Sequence, residues 1–320
     1  MNIAFMGTPD FAVPSLKALL SSPHKIVAVV TAEDRPQGRG LKISESPVKK
    51  VARQKNLKIL QPESLKDEAF INELKSLSEG AGLDLIIVVA FKILPKEVFT
   101  IPKFGSFNLH ASLLPKYRGA APVNWALING EKETGVTTFF LKEKVDTGNI
   151  IMQYKCEIAN DDDAGTLHNK LAELGAKTVI STVNLIESSN GKVPVYPQEE
   201  SLATPAPKIH NYFCKVNWNN SSSNIYNFIR GLSPYPAAFT THRSNRLKLF
   251  KSRVMSIPGM NLNDRPEVPG EIKIIDNALF VNCEQGYLEI IELQLEGKKR
   301  MTADEFLRGY KIESGDRFES

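Results

Sequence analysis

Short, almost wholly aliphatic runs recur along the first third of the chain, each followed by a segment of helical periodicity. Met1–Met6, Lys25–Thr31 (KIVAVVT), Leu83–Ala90 (LDLIIVVA) and Gly105–Leu109 read as strands, with Lys58–Leu60 a shorter one. A strand that is apolar at successive positions offers no face to water, so both of its faces must be covered. The spacing predicts helices over Phe11–Leu20 with Asp10 as N-cap, over Pro47–Lys55 and over Leu65–Leu77. Strands alternating with helices give an α/β fold: a Rossmann-like, mostly parallel sheet with helices on both faces. Ligands of such sheets bind at the carboxyl ends of the strands. A helix near Val123–Ile128, strands Gly135–Leu141 and Ile150–Ile158, and a long helix over Ala164–Glu187 complete this first domain, expected over residues 1–189.

One strand end carries chemistry. In Phe107–Pro122 (FNLHASLLPKYRGAAP) the alternation puts Asn108 and His110 on one side of the strand, roughly 6.5–7 Å apart along it. An amide N–H can stabilise an oxyanion, and an imidazole can move a proton near neutral pH. Downstream, EKVDTGNI sets Asp146 in a short turn ended by Gly148, and a carboxylate there can orient the ring. Taken singly these residues are bland. N-x-H is most often a structural pair, Asp146 an Asx-turn residue, and Leu113 and Leu114 core residues. Gly7-Thr8-Pro9 after the first strand lacks the G-x-G-x-x-G pattern of a dinucleotide site, and Pro9 removes a donor. The loop Ala32–Ser46 is long for its position and carries Arg35, Arg39 and Lys42.

Charge separates the second half from the first. Ser188–Pro207 contains four prolines and reads as an extended linker, assigned to 190–208. From Ser201 through Asn263 there is no Asp or Glu, where roughly seven would be expected at the chain's average. The same span holds Lys208, Lys215, Arg230, Arg243, Arg246, Lys248, Lys251 and Arg253, although the whole chain has a net charge of only +4. Such concentration points to a polyanion partner. Ala278–Asn282 and Gly286–Leu295 read as strands, and Thr302–Leu307 as a short helix capped by Thr302. Many short strands suit a small β-barrel over 209–320. Three cysteines (Cys156, Cys214, Cys283) lie far apart without C-x-x-C, which fits a reducing cytoplasm and no zinc knuckle. No run is long enough to span a membrane, and no signal or transit peptide is expected ahead of the first strand.

N-x-H-x-S-L-L-P, then Y-R-G-A-A-P, then V-D-T-G resembles the folate-dependent formyltransferase family, and within it the members that act on initiator methionyl-tRNA. FMGTPDFAVPSL, DRPQGRG, SPVK, LDLIIVVAFKILP, FIRGLSPYPAA and GKKRMTADEF agree, in order, nearly end to end. The resemblance implies that Asn108, His110 and Asp146 form a catalytic trio. It implies 10-formyltetrahydrofolate as formyl donor, gripped mainly by backbone at Phe91, Lys92, Ile93 and Leu94. Glu143, Lys144 and Val145 would supply the opposing wall, and Ser112, Leu113, Leu114 and Pro115 would line the transfer channel. It implies an OB-like second domain that holds tRNA through Lys208, Arg243, Arg246, Lys248 and Lys251, with Arg35, Arg39 and Lys42 reading the acceptor end. No bound metal is implied, and the expected state is a monomer.

Two departures stand out. HNYFCKVNW after Ile209 replaces a more helical, more acidic stretch of relatives, and Lys92 stands where they carry a small or apolar residue. Three other functions share parts of the pattern. A formyltransferase acting on a small amine would stop after the first domain or continue into a dehydrogenase. A formyltetrahydrofolate hydrolase domain would be fused to further domains, and a non-catalytic RNA-binding relative would have lost one of the trio.

Overall fold

Residues 1–37, 42–255 and 268–320 are described in the computed structural model. Among them, seven strands form the first sheet, in the order Ile150–Glu157, Glu133–Phe140, Ser106–His110, Leu85–Val89, Asn2–Gly7, Lys25–Val30 and Ile59–Leu60. Neighbours from Ser106–His110 to Ile59–Leu60 pair in parallel, and the two strands at the other edge are antiparallel. Leu85–Val89 is buried at every position, as its continuous aliphatic sequence requires. Asn108 pairs with Val88 on one side and Phe139 on the other, so the strand bearing it lies inside the sheet rather than at an edge.

The helices follow their caps. Ser46 accepts from Lys49 N to start Pro47–Gln54. Asp67 accepts from Ala69 N at the head of Glu68–Ala81, which Gly82 ends in the left-handed region. The expected cap at Asp10 is not made. Asp10–Ala12 forms a 3-10 turn, and the α-helix begins only at Val13, with Pro14 in its first turn where a missing N–H costs nothing.

The chain divides into two compact units, the first made of Met1–Gly119, Glu133–Glu157 and His168–Ala206. Where an extended linker was expected, Tyr196 bridges Ile150, Glu200–Leu202 forms a 3-10 turn, and Pro205–Ala206 pairs in parallel with Arg118–Gly119. That stretch is a strap on the first unit.

The second unit comprises Ala120–Lys132, Ile158–Leu167 and Pro207–Ser320. The helix Pro122–Ile128 packs within it because Asn124 Nδ2 donates to Gly231 O at 2.7 Å and Ile128 lies against Gly231. Its sheet runs Ala238–His242, Asn245–Met255, Tyr287–Leu295, Ala278–Asn282, Ile272–Ile275, each pair antiparallel. The last residues of the chain touch both edges: Glu319 bridges Thr241, and Arg317 bridges Glu271. This bends the sheet toward closure around Trp218, Leu247, Leu288, Phe306 and Phe318. Ala303–Gly309 begins with the capping box of Thr302 and Glu305.

Candidate active site

His110 ends an interior strand, where it pairs with Thr137 on one side while the ladder on the other side stops at Leu109, and the residue is 6% exposed. Nε2–H donates to Tyr117 O at 2.8 Å; a carbonyl can only accept, which puts the proton on that nitrogen. Nδ1 faces Asp146 Oδ2 at 3.9 Å. The tautomer is therefore set by the Tyr117 carbonyl, whereas the expectation from sequence gave that task to Asp146. The 3.9 Å gap is too long for a direct hydrogen bond.

Asp146 is positioned by backbone. Gly119 N donates to its Oδ2 at 3.0 Å, and its own φ is +53°. Gln198 Nε2 donates to Asp146 O at 2.9 Å and to Gly148 O at 2.8 Å. Gln198 is held in turn by Arg118, whose Nε and Nη2 donate to Oε1 at 3.0 and 2.8 Å, while the same guanidinium pairs with Glu200. That pairing draws the Glu200 carboxyl below its usual range. Gly119 has φ +128°, and a Cβ there would sit 2.6 Å from Ala206 O. Only glycine fits between the strap and the carboxylate. At Gly148 a Cβ would sit 1.6 Å from Phe140 O, which explains the glycine of VDTG.

Asn108 is half-buried and its amide has no hydrogen bond to another described residue. The structure thus brings Asn108, His110 and Asp146 to one strand end, with one nitrogen of the ring and one amide left uncommitted.

The folate residues divide. Ala90, at φ +48°, turns the chain out of the strand Leu85–Val89. Beyond it Lys92, Ile93 and Leu94 line a hollow of about 660 Å³, together with Leu65, Lys96 and Glu143. Asn108, His110 and Asp146 are not among its walls. Lys96 Nζ meets Glu143 Oε1 at 2.8 Å across the rim, which lowers the carboxyl of one and raises the ammonium of the other. Phe91 packs on the core instead, and Lys144 and Val145 are exposed outside the hollow. Ser112 Oγ donates to Lys116 O at 2.6 Å, and Leu114 is buried with Phe139 and Ile150. Leu113 lies against Gly135, and Pro115 follows Leu114 through a cis bond. Ser112 and Leu114 are thus turned into the fold, while Leu113 and Pro115 are half-buried.

Arg35 is exposed at the start of a short ladder, Arg35–Gln37 against Lys42–Ser44. Arg39 and the Lys42 side chain lie outside the described residues. In the second unit Lys208 and Lys251 are exposed and Lys248 is half-buried. Arg243 is committed to Asp316 through two contacts at 2.9 and 3.1 Å, and Arg246 stacks over Phe239 at 3.6 Å. No group of three or more His, Cys, Asp or Glu side chains suited to a metal occurs among the described residues. Nor is any helix among them long and apolar enough to cross a membrane.

Sequence profiles decide the kinship. One described as formyl transferase matches residues 1–183, and one described as formyl transferase, C-terminal domain, matches residues 208–311. The chain belongs to the formyl transferase family. Among relatives of this formyl transferase, the methionyl-tRNA formyltransferase of Thermodesulfovibrio yellowstonii is 47% identical over 315 residues, covering 98% of this chain and 97% of that one. The methionyl-tRNA formyltransferase of Bacteroides thetaiotaomicron is 43% identical over 325 residues, covering 98% and 97%. A sugar 3N-formyl transferase solved in the presence of dTDP and 5-N-formyl-THF shares the fold at TM-score 0.68. It is 21% identical and covers 93% of this chain and 99% of its own.

Reading the sequence missed Gln198, Arg118, Glu200 and the Tyr117 carbonyl. Y-R-G was in view as a motif without a role. Gln198 lay in the proline-rich stretch read as linker, where nothing marks a side chain that reaches back to the turn of Asp146.

Proposed function

We propose that this formyl transferase moves the formyl group of 10-formyltetrahydrofolate onto the α-amino group of methionine carried by initiator tRNA, in the cytoplasm and as a monomer. One observation carries the chemistry: the free nitrogen of His110 stands 3.9 Å from Asp146, beside an Asn108 amide without a partner among the described residues. Relatives bearing the methionyl-tRNA formyltransferase name, matched along nearly the whole chain, support the substrate.

The folate, when bound, supplies an activated formyl carbonyl. The hollow by Lys92–Leu94 suits it: about 660 Å³ lies within the usual range of small-molecule sites, and its wall joins apolar Leu65, Ile93 and Leu94 to Lys66 and Lys92, with Glu63, Glu97 and the Lys96–Glu143 pair completing it. Apolar walls suit a flat ring and the lysines an acidic tail. Asn108 donates from its amide to the carbonyl oxygen as negative charge collects there. His110, anchored by Nε2–H on Tyr117 O, accepts the proton of the attacking amine at Nδ1 and returns it to the folate nitrogen as the bond between that nitrogen and the formyl carbon breaks. The imidazolium so formed stands close enough to Asp146 for the carboxylate to stabilise it. Gly119 N holds the Asp146 carboxylate and Gln198 its backbone carbonyl, which positions the residue from two sides.

The second unit grips tRNA phosphates through Lys208, Lys248 and Lys251, while Arg35, Arg39 and Lys42 meet the acceptor end. The decisive test is a single assay with methionyl initiator tRNA and 10-formyltetrahydrofolate, scored for formylated aminoacyl ester. Absence of product with folded protein ends this reading.

A further inference from the structure

We propose that the Tyr212 ring, backed by His210, is a stacking platform for an unpaired base of the RNA substrate. This rests on the reading of the protein as an enzyme acting on tRNA. Tyr212 is 82% exposed, and the His210 ring lies parallel to it, with centroids 5.6 Å apart and planes within 6°.

The turn that carries the pair is pinned from within. Cys214 is buried in the core of the second unit, and Phe213 packs on Trp125 at 5.2 Å and on Phe228 at 5.5 Å. Trp125 Nε1 donates to Pro207 O at 2.8 Å, and Phe213 N donates to His210 O at 3.0 Å. Inward residues therefore fix the backbone, and the outward ones, His210 and Tyr212, are presented to solvent in one arrangement. A preorganised aromatic face loses little freedom when a base settles on it.

Its surroundings select the occupant. Lys208 and Lys215 flank the turn and are exposed. The turn joins the edge strand Ala238–His242 through Val216 N, which donates to Phe239 O at 2.8 Å. Opposite Phe239 stands Lys248, and opposite Thr241 stands Arg246, stacked on the Phe239 ring. No acidic residue occurs between Ser201 and Asn263. An acidic peptide would answer the cations but leave the stacked rings without a task. A single-stranded nucleotide uses both, its base on the ring and its phosphate on the lysines.

The test is a titration of labelled methionyl initiator tRNA with the full chain at several salt concentrations, for wild type, Tyr212→Ala and Tyr212→Phe. Tyr212→Ala should weaken binding roughly tenfold, as expected for one stacked base. Its salt dependence should parallel the wild type, because a neutral ring releases no counterions. Tyr212→Phe should bind within about twofold of wild type, since the π-face is retained. Formyl transfer by the wild-type enzyme is measured on the same tRNA. If the wild type formylates it and Tyr212→Ala binds as tightly, the platform is wrong and the enzymatic reading stands. A Tyr212→Phe variant as weak as Tyr212→Ala, or a loss accompanied by a shallower salt dependence, would likewise overturn it. No formylation by the wild type would remove the enzymatic reading itself.

Discussion

The strand end around His110 and the basic face of the second unit solve different problems. At the strand end the polar groups are few, buried or half-buried, and His110 and Asp146 are tied to backbone: Tyr117 O on the ring, Gly119 N on the carboxylate, Gln198 on the turn. On the basic face Lys208, Lys215 and Lys251 are exposed, while Arg243 and Arg253 pair with carboxylates and Arg246 stacks on Phe239. A reaction centre depends on position, since a donor is effective only within a few tenths of an ångström of the charge it meets. A phosphate grip depends on the number of cations, since each contributes a similar, screenable increment. Substitutions in the first region should therefore change turnover and leave tRNA affinity alone, and those in the second should do the reverse.

The sharpest break is His110→Ala. Loss of the group proposed to carry the proton is expected to lower kcat by about 10²–10⁴, with the tRNA dissociation constant within about twofold of wild type. Asn108→Ala removes the amide proposed as oxyanion donor and should lower kcat by about 10²–10³. Rapid-quench turnover and equilibrium binding on the same preparations check both. A fall in affinity that matches the fall in turnover would erase the division between the regions.

The complementary break is ionic. Arg243 is tied to Asp316 and Arg253 to Glu289, so fewer cations are free for phosphate than the acid-free span suggests. With about four contacts, raising salt from ~50 to ~200 mM should weaken tRNA binding by about 10² and leave kcat at saturation unchanged. A flat response would make this face an ordinary solvated surface.

A smaller effect probes how the strand end is built. Gln198→Ala removes two donated hydrogen bonds from the turn that presents Asp146, a turn whose positive φ at Asp146 is costly to maintain. It should lower kcat about tenfold with tRNA affinity unchanged. Gln198→Glu has nearly the same shape but lacks the donors, so it should resemble the alanine variant. Restored turnover in Gln198→Glu would assign the residue to packing alone.

These residues also mark how far sequence carries. The parallel sheet was legible because strands such as Leu85–Val89 are apolar at every position, a pattern with one economical fold. Asn108 and His110 were legible because strand periodicity and a proline-bound loop put them together at a carboxyl end. Gln198 was not. Its role depends on the path of residues 195–206 across the first unit, and a chain rich in proline states only that it is extended. Likewise Asp10 has the chemistry of a cap, but Pro14 starts the helix later, and the local signal loses to the backbone constraint. The basic span was legible as composition, yet the ion pair of Arg243 with Asp316 joins residues far apart in sequence.

That ion pair gives the smallest prediction, and it concerns stability in the basic region alone. His242 is buried, with Nδ1 facing Tyr310 Oη at 3.1 Å and Nε2 facing Asp316 at 3.4 Å. Burial pushes its pKa down, against the pull of Asp316. The folded protein thus withholds a proton that the unfolded chain accepts. As pH falls through the ordinary histidine value near ~6.5, stability should decline, and it should level off below the depressed folded value. Asp316 behaves in the opposite sense. The Glu313 N–H and Arg243 hold its carboxyl below the usual range, so its contribution is complete above the ordinary aspartate value and disappears only in stronger acid. Between neutrality and pH ~5 the histidine should dominate, and His242→Gln should flatten the fall in melting temperature over that interval. Asp316→Asn removes the charge that draws His242 upward, so it should deepen the same fall while leaving turnover at saturating tRNA unchanged. A decline that persists in His242→Gln would mean that another group governs acid sensitivity.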